Sequence, residues 1–282
     1  MRVETIRYRS PEYPPQLNEL ASPPITLWSI GELATLREPV VAIVGTRRAT
    51  SYGLRVTKEL AAALARAGAC IVSGLALGID AAAHRGALEV GGRTVAVLGT
   101  GVDVPYPKAN LSLYREIAEK GLLLSELRPG AHSHGGSFPT RNRIIAGLAR
   151  LTIIVEAPHL SGALHTANYA LDLHREIGVV LGPIDSPQSA GSNLLVRDGA
   201  QPIASIDDAI ALAGLVPQKK SGPHIDDPTE MRIWAALEAG AESLDELCAR
   251  AALPVSECMA AVTGLELRGA VECALTGEIR RR

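Results

Sequence analysis

The chain has 282 residues, 47% of them hydrophobic, with a formal net charge of −2. That length suits one large domain plus a small one, and a near-neutral charge excludes nucleic-acid binding by bulk charge, so such a role would rest on a local patch. Aromatics are only 3% of the residues, so the expected core is aliphatic. The four cysteines, Cys70, Cys248, Cys258 and Cys273, form no C-x-x-C pair. Reduced thiols are the reading, with no metal site and no disulfide framework. The start, MRVETIRYRS, has no apolar leader core, and no run of about 18 uncharged apolar residues follows it. A cytoplasmic protein without membrane insertion is expected.

Residues 1–39 are Pro-rich and short of periodicity (YPPQL, SPPITLW). They read as a lead-in that wraps the next domain. From Val40 the pattern changes. The apolar runs VVAIV (40–44), CIVSG (70–74), TVAVLG (94–99), LLLSE (122–126), LTIIVEA (151–157), IGVVLG (177–182) and QPIAS (201–205) read as strands. Helical segments are expected between or after them at 53–67, 79–88, 109–119, 141–149, 162–175 and 206–213. Unbroken apolar strands separated by helices predict a mainly parallel sheet covered on both faces, a Rossmann-like doubly wound α/β domain over 40–216. PQKKSGPHIDDP, at 217–228, is polar with three prolines; the linker is read as 217–227. The tail, 228–282, predicts three short helices and a hairpin around Thr276-Gly277, the order of a winged helix. Ser243, with Glu246 three residues on, opens its second helix as a capping box.

Ligands of doubly wound sheets bind beyond the carboxyl ends of the strands. The loops expected there are GTRRAT (45–50), SGLALGIDAAAH (73–84), GTGVDVPYP (99–107), the 128–143 loop and SGALHTA (161–167). Gly45 permits close backbone approach, Thr46 supplies a hydroxyl, and Arg47 and Arg48 supply charge. Ser161 and Gly162 fall at a helix N-terminus, where free N–H groups favour a phosphate, and Thr166 adds a hydroxyl one turn on. Residues 128–150 hold four arginines, no Asp or Glu, and the chain's only phenylalanine. Phe138, in a polar loop beside Arg141, Asn142 and Arg143, suits a single nucleic-acid strand: a ring to stack on a base and arginines to meet phosphates. The alternative is that Phe138 plugs a small gap beneath a surface loop.

Neither a dinucleotide fingerprint nor a P-loop occurs in the sequence. Asp80 and His84, four apart on a helix, have the spacing of an acid–base pair. With no third partner or nucleophile in evidence, a helix cap and a satisfied histidine are the simpler reading.

VAIVGTRRATSYG, IVSGLALGIDAAAHRGAL, TVAVLGTGVDVPYPKAN, FPTRNRIIAGL, IIVEAPHLSGALHTA and GSNLLVRDGA resemble, in order and spacing, the DNA-processing protein A (Smf) family. The resemblance implies a dimeric, non-enzymatic protein that binds single-stranded DNA, protects incoming strands in natural transformation and loads the RecA recombinase, without a cofactor. It also implies strand contacts at Arg47, Phe138, Arg141, Asn142, Arg143, Ser161, Gly162 and Thr166. The basic side chain that often precedes the loop aromatic in the family has no clear equivalent in HSHGGSF. The alternative from another class is a nucleotide-processing enzyme of phosphoribohydrolase type, whose PGGxGT-x-x-E motif is not found in this sequence. A third reading, a nucleotide-sensing transcription regulator, asks for a basic third helix in the tail. Residues 228–282 instead hold nine acids against six bases, which points to a protein-binding or regulatory module.

Overall fold

A computed structural model describes residues 2–133, 136–217, 225–241, 243–274 and 277–281. The chain folds as two units, Met1–Gln218 and Lys219–Arg282.

The first unit is built on one nine-stranded sheet in the order β1-β2-β6-β5-β4-β3-β7-β8-β9. Seven of these strands run parallel: β3 (Val40–Gly45), β4 (Cys70–Ser73), β5 (Arg93–Leu98), β6 (Leu122–Ser125), β7 (Leu151–Val155), β8 (Glu176–Val180) and β9 (Gln201–Ile203). Their residues are buried almost throughout because helices cover both faces. Along β3, Val40, Ala42 and Val44 face one core and Val41 and Ile43 the other. The first core is closed by α4 (Ser137–Leu148) and α5 (Gly162–Asp172), the second by α1 (Ser51–Arg66), α2 (Ile79–Glu89) and α7 (Ile206–Leu212). A further apolar cluster packs α3 (Leu111–Lys120) on β5 and β6.

Two sequence expectations are corrected and one element is added. The lead-in does not merely wrap the domain. β1 (Glu4–Arg7) and β2 (Thr26–Gly31) extend the sheet antiparallel beyond β6, with Trp28 opposite Ser125. Leu17 and Leu20 then pack against Gly147 of α4. A helix not anticipated, α6, spans Ala190–Arg197. And α4 starts at Ser137, so Phe138 and Pro139 lie in its first turn rather than in a loop; proline is tolerated there because those N–H groups have no intrahelical partner.

The second unit contains α8 (Pro228–Glu238), α9 (Leu244–Ala251), α10 (Val255–Leu267) and the antiparallel pair β10 (Val271–Cys273) and β11 (Ile279–Arg281) around its own apolar core. Ser243 caps α9 by accepting from the Glu246 N–H at 3.3 Å. Residues 218–224 of the linker, His134 and Thr276 of the hairpin turn lie outside the described residues. No helix among the described residues is long and apolar enough to cross a membrane.

Candidate nucleic-acid interface

From β3 the chain steps through β4 and β5 to β6, then returns to lay β7 along the other edge of β3. The connections at the carboxyl ends of β3 and β7 therefore diverge, and a crevice opens between them. An open cleft of about 460 Å³ lies there. It is lined by Gly45–Arg48 after β3, by Phe138, Arg141 and Asn142 of α4, and by Ser161, Gly162 and Thr166 at the start of α5. A smaller recess of about 60 Å³ leads past Phe138 to Gly99 and Tyr106.

Glycines set the shape. A Cβ on Gly45 would lie 1.9 Å from the Val155 carbonyl oxygen, and one on Gly99 would lie 2.6 Å from the Phe138 ring. Gly162 faces open space, with nothing within 4 Å of its missing Cβ. The Ser161 hydroxyl caps α5 by accepting from the Ala163 N–H at 3.3 Å.

The three residues of the Arg-Asn-Arg triplet have different surroundings. Arg141 is 7% exposed, and its guanidinium donates to the carbonyls of Gly74, at 2.7 Å, and Val97. Burial pulls its pKa down to about 10, opposed by the neighbouring Asp80 carboxylate. Burial raises the pKa of Asp80, opposed by Arg141 and by the N–H groups of Ala76 and Gly74. Arg141 thus lines the floor of the cleft, held by the protein. Asn142 bridges α4 to α5, donating to the Gly162 carbonyl at 3.1 Å. Arg143 does not line the cleft; it forms a two-oxygen ion pair with Glu126 at 2.6 and 2.7 Å. The expectation of unpaired arginines beside Phe138 is therefore corrected. The acid-free stretch begins two residues after Glu126, and the fold brings that carboxylate back.

The exposed cations on the cleft, among the described residues, are Arg47 and Arg48. Arg47 lies over the Phe138 ring, 5.5 Å from its centroid, and Tyr106 lies beside that ring at 5.3 Å with a 34° tilt. Tyr106 was not singled out from the sequence; a tyrosine between two prolines was a weak signal for it.

Asp80 and His84 are not bonded to each other. The Asp80 carboxylate accepts from the Gly74 N–H at 3.1 Å and shapes the turn before α2, while Gly78 occupies the N-cap. His84 Nδ1 meets Thr94 Oγ1 at 2.7 Å. That hydroxyl donates its one proton to the Ile71 carbonyl, so Nδ1 carries the imidazole hydrogen. Burial holds the histidine neutral, with its pKa lowered to about 3. Asp80 is part of the cleft lining, and the buried His84 leaves its Nε2 without a hydrogen-bond partner among the described residues.

The family described as DNA recombination-mediator protein A matches residues 4–214. The chain belongs to that family. Residues 217–274 match its DprA winged helix domain. Protein Smf of Synechocystis is 37% identical over 301 residues, covering 93% of this chain and 76% of that one. The DNA processing protein DprA of Streptococcus pneumoniae is 42% identical over 199 residues, 71% of this chain and 70% of that one. Its X-ray structure superposes with a TM-score of 0.72 over 74% of each chain. DNA processing protein A from Helicobacter pylori, a structure described for its single-stranded DNA binding mode, gives 0.69 at 34% identity over 74% of this chain and 94% of that one. The Rossmann-like architecture and the C-terminal winged helix expected from the sequence are thereby shown.

Proposed function

We propose that this chain binds single-stranded DNA across the switch-point cleft, shields the strand and passes it to a RecA-type recombinase, acting as a homodimer and without catalysis. The observation that carries this reading is the convergence, in one open cleft and the recess beside it, of an exposed Arg47, an aromatic pair, and a helix N-terminus with open space at Gly162. Phosphates would meet Arg47, Arg48 and the start of α5, while a base would stack on Phe138 or Tyr106. Arg141, Asn142 and Thr166 form the polar floor and wall, and Arg143 supports α4 from behind. The single-strand binding described for the Helicobacter pylori protein supports the choice of ligand. Family membership supports recombinase loading, dimerisation and protection of incoming DNA as parts of this reading.

Mobility shifts with matched single- and double-stranded oligonucleotides test the reading. The single strand should shift at much lower protein concentration, and incubation with AMP should release no ribose phosphate. Equal affinity for the two forms would sink the single-strand reading, and release of ribose phosphate would establish the enzyme reading instead.

A further inference from the structure

Glu156 immediately follows β7 at the switch point. It is 3% exposed and has a left-handed φ of 50°, a conformation that suits glycine. Its contacts are concentrated on one short turn. Its backbone carbonyl accepts from the Thr46 N–H at 2.7 Å. Its carboxylate accepts from the Thr50 N–H at 2.9 Å and from the Thr50 hydroxyl. Both ends of the turn that carries Arg47 and Arg48 are thus tied to one residue. No cation lies within ion-pair distance of this carboxylate among the described residues.

This buried carboxylate lies at the end of a helix. Thr50 is the N-cap of α1 and accepts from the Gly53 N–H at 3.1 Å. A Cβ on Gly53 would lie only 2.3 Å from Glu156 Oε2, so the carboxylate rests directly on the first turn of α1. Helix N-termini hold anions through free N–H groups and the helix dipole. In dinucleotide-binding doubly wound folds, the helix after the first strand seats the ligand's pyrophosphate. In this chain the Glu156 carboxylate lies against the first turn of that helix and is hydrogen-bonded to its N-cap, Thr50.

Resting on the strand-binding reading above, we propose that Glu156 is a positioning residue that closes the N-terminus of α1 to phosphate and turns Arg47 and Arg48 outward onto the DNA backbone. With the carboxylate in place, a phosphate entering at α1 meets like charge. Among the helix starts that line the cleft, that of α5 leaves room at Gly162. The turn, tied at both ends, cannot curl around a ligand as a phosphate-binding loop does. Its arginines therefore serve an extended polyanion rather than a mononucleotide.

The test uses the full chain with Glu156→Gly, Glu156→Gln, Thr50→Val and Thr50→Ser, each checked for folding by circular dichroism. Binding of oligo-dT is followed by fluorescence anisotropy at several salt concentrations, and thermal melting is measured with and without inorganic phosphate. Glu156→Gly removes the carboxylate while relieving the left-handed backbone, so a purely conformational role predicts wild-type binding. Our proposal predicts binding weaker by about tenfold, a salt slope lower by about 0.7, and a larger rise in melting temperature with phosphate than wild type shows. Glu156→Gln should shift the same way by less. Thr50→Val should weaken binding, Thr50→Ser should not, and Thr50→Val combined with Glu156→Gln should be no worse than the poorer single variant. If the Glu156 variants keep wild-type affinity and slope while Arg47→Ala loses affinity, the proposal fails and the strand-binding reading stands. If Arg47→Ala also binds like wild type, that reading fails and the proposal falls with it. Should neither Glu156 variant fold, the Thr50 pair decides from the other side of the hydrogen bond: equal binding by Thr50→Val and Thr50→Ser overturns the proposal.

Discussion

Arg47 and Phe138 touch each other, yet a bound strand would draw on them differently. The Arg47 guanidinium lies over the ring at 5.5 Å, and Tyr106 lies beside the ring. An incoming base must displace the guanidinium from that face or stack on Tyr106, which is 44% exposed. Arg47→Ala removes about one phosphate contact, so the slope of log affinity against log salt should fall by about 0.7. Phe138→Ala removes a stacking surface, with an expected loss of about 1–3 kcal/mol, and leaves the slope nearly unchanged because a ring releases no counterion. Because the two side chains are in contact, the double variant should depart from additivity by about 0.5 kcal/mol or more. Anisotropy titration of oligo-dT over a salt series measures all three quantities. A Phe138→Ala protein that binds like wild type, or does not fold, identifies the ring as a structural plug.

At the scale of elements, the start of α5 gives the cleft an open wall at Gly162. Alanine at Gly162 meets no atom within 4 Å, and the glycine does not have a left-handed φ. Gly162→Ala should therefore stabilise the fold slightly, by about 0.4–1 kcal/mol, while weakening strand binding, because its methyl group fills the space a phosphate would enter. Melting temperature and oligo-dT affinity should thus move in opposite senses; a variant unchanged in affinity would show that no ligand approaches α5. The strands on either side of this cleft were legible because β3 to β8 are unbroken apolar runs ended by glycine or polar turns. The lead-in strands were not, since prolines isolate them and their partner β6 lies about a hundred residues further on. Helix α6 hides in SPQSAGSNLL, where Gly191 is required less by helix propensity than by its approach to the Ala157 carbonyl, 2.7 Å from its missing Cβ. The start of α4 was obscured by Pro139, which reads as a breaker although the first turn accepts it. Among the residues that line the cleft, Arg47, Ser161 and Gly162 were readable from their places after strands and Thr166 from its place one turn along the following helix. The ion pair of Arg143 with Glu126, 17 residues apart, and the clamp at Glu156 depend on tertiary approach and leave no local signal.

For the whole molecule, charge is divided unevenly between the two units. Residues 228–282 carry net −3 in a chain of net −2, so the rest of the chain is net +1. Every described arginine of the winged helix is already engaged. Arg268, Arg280 and Arg281 pair with Glu230, Glu278 and Glu238, while Arg232 and Arg250 donate to the carbonyls of Ala251 and Ala239. On α10, the position of a recognition helix, Glu257 and Glu266 are exposed. A surface built for phosphate shows the opposite balance. The first unit, by contrast, keeps its own cores and the entire switch-point cleft within Met1–Gln218. Deleting residues 217–282 should therefore leave a folded protein whose affinity for oligo-dT stays within about tenfold of the full chain, roughly 1.4 kcal/mol. Its salt slope should also be unchanged, because no phosphate contact is removed. Circular dichroism and the same anisotropy series measure both. A larger loss together with a shallower slope would place phosphate contacts on the winged helix, and a larger loss at constant slope would assign it an uncharged contribution to strand binding. Retained binding would leave the acidic module with a task other than holding DNA, consistent with a surface that docks a protein partner.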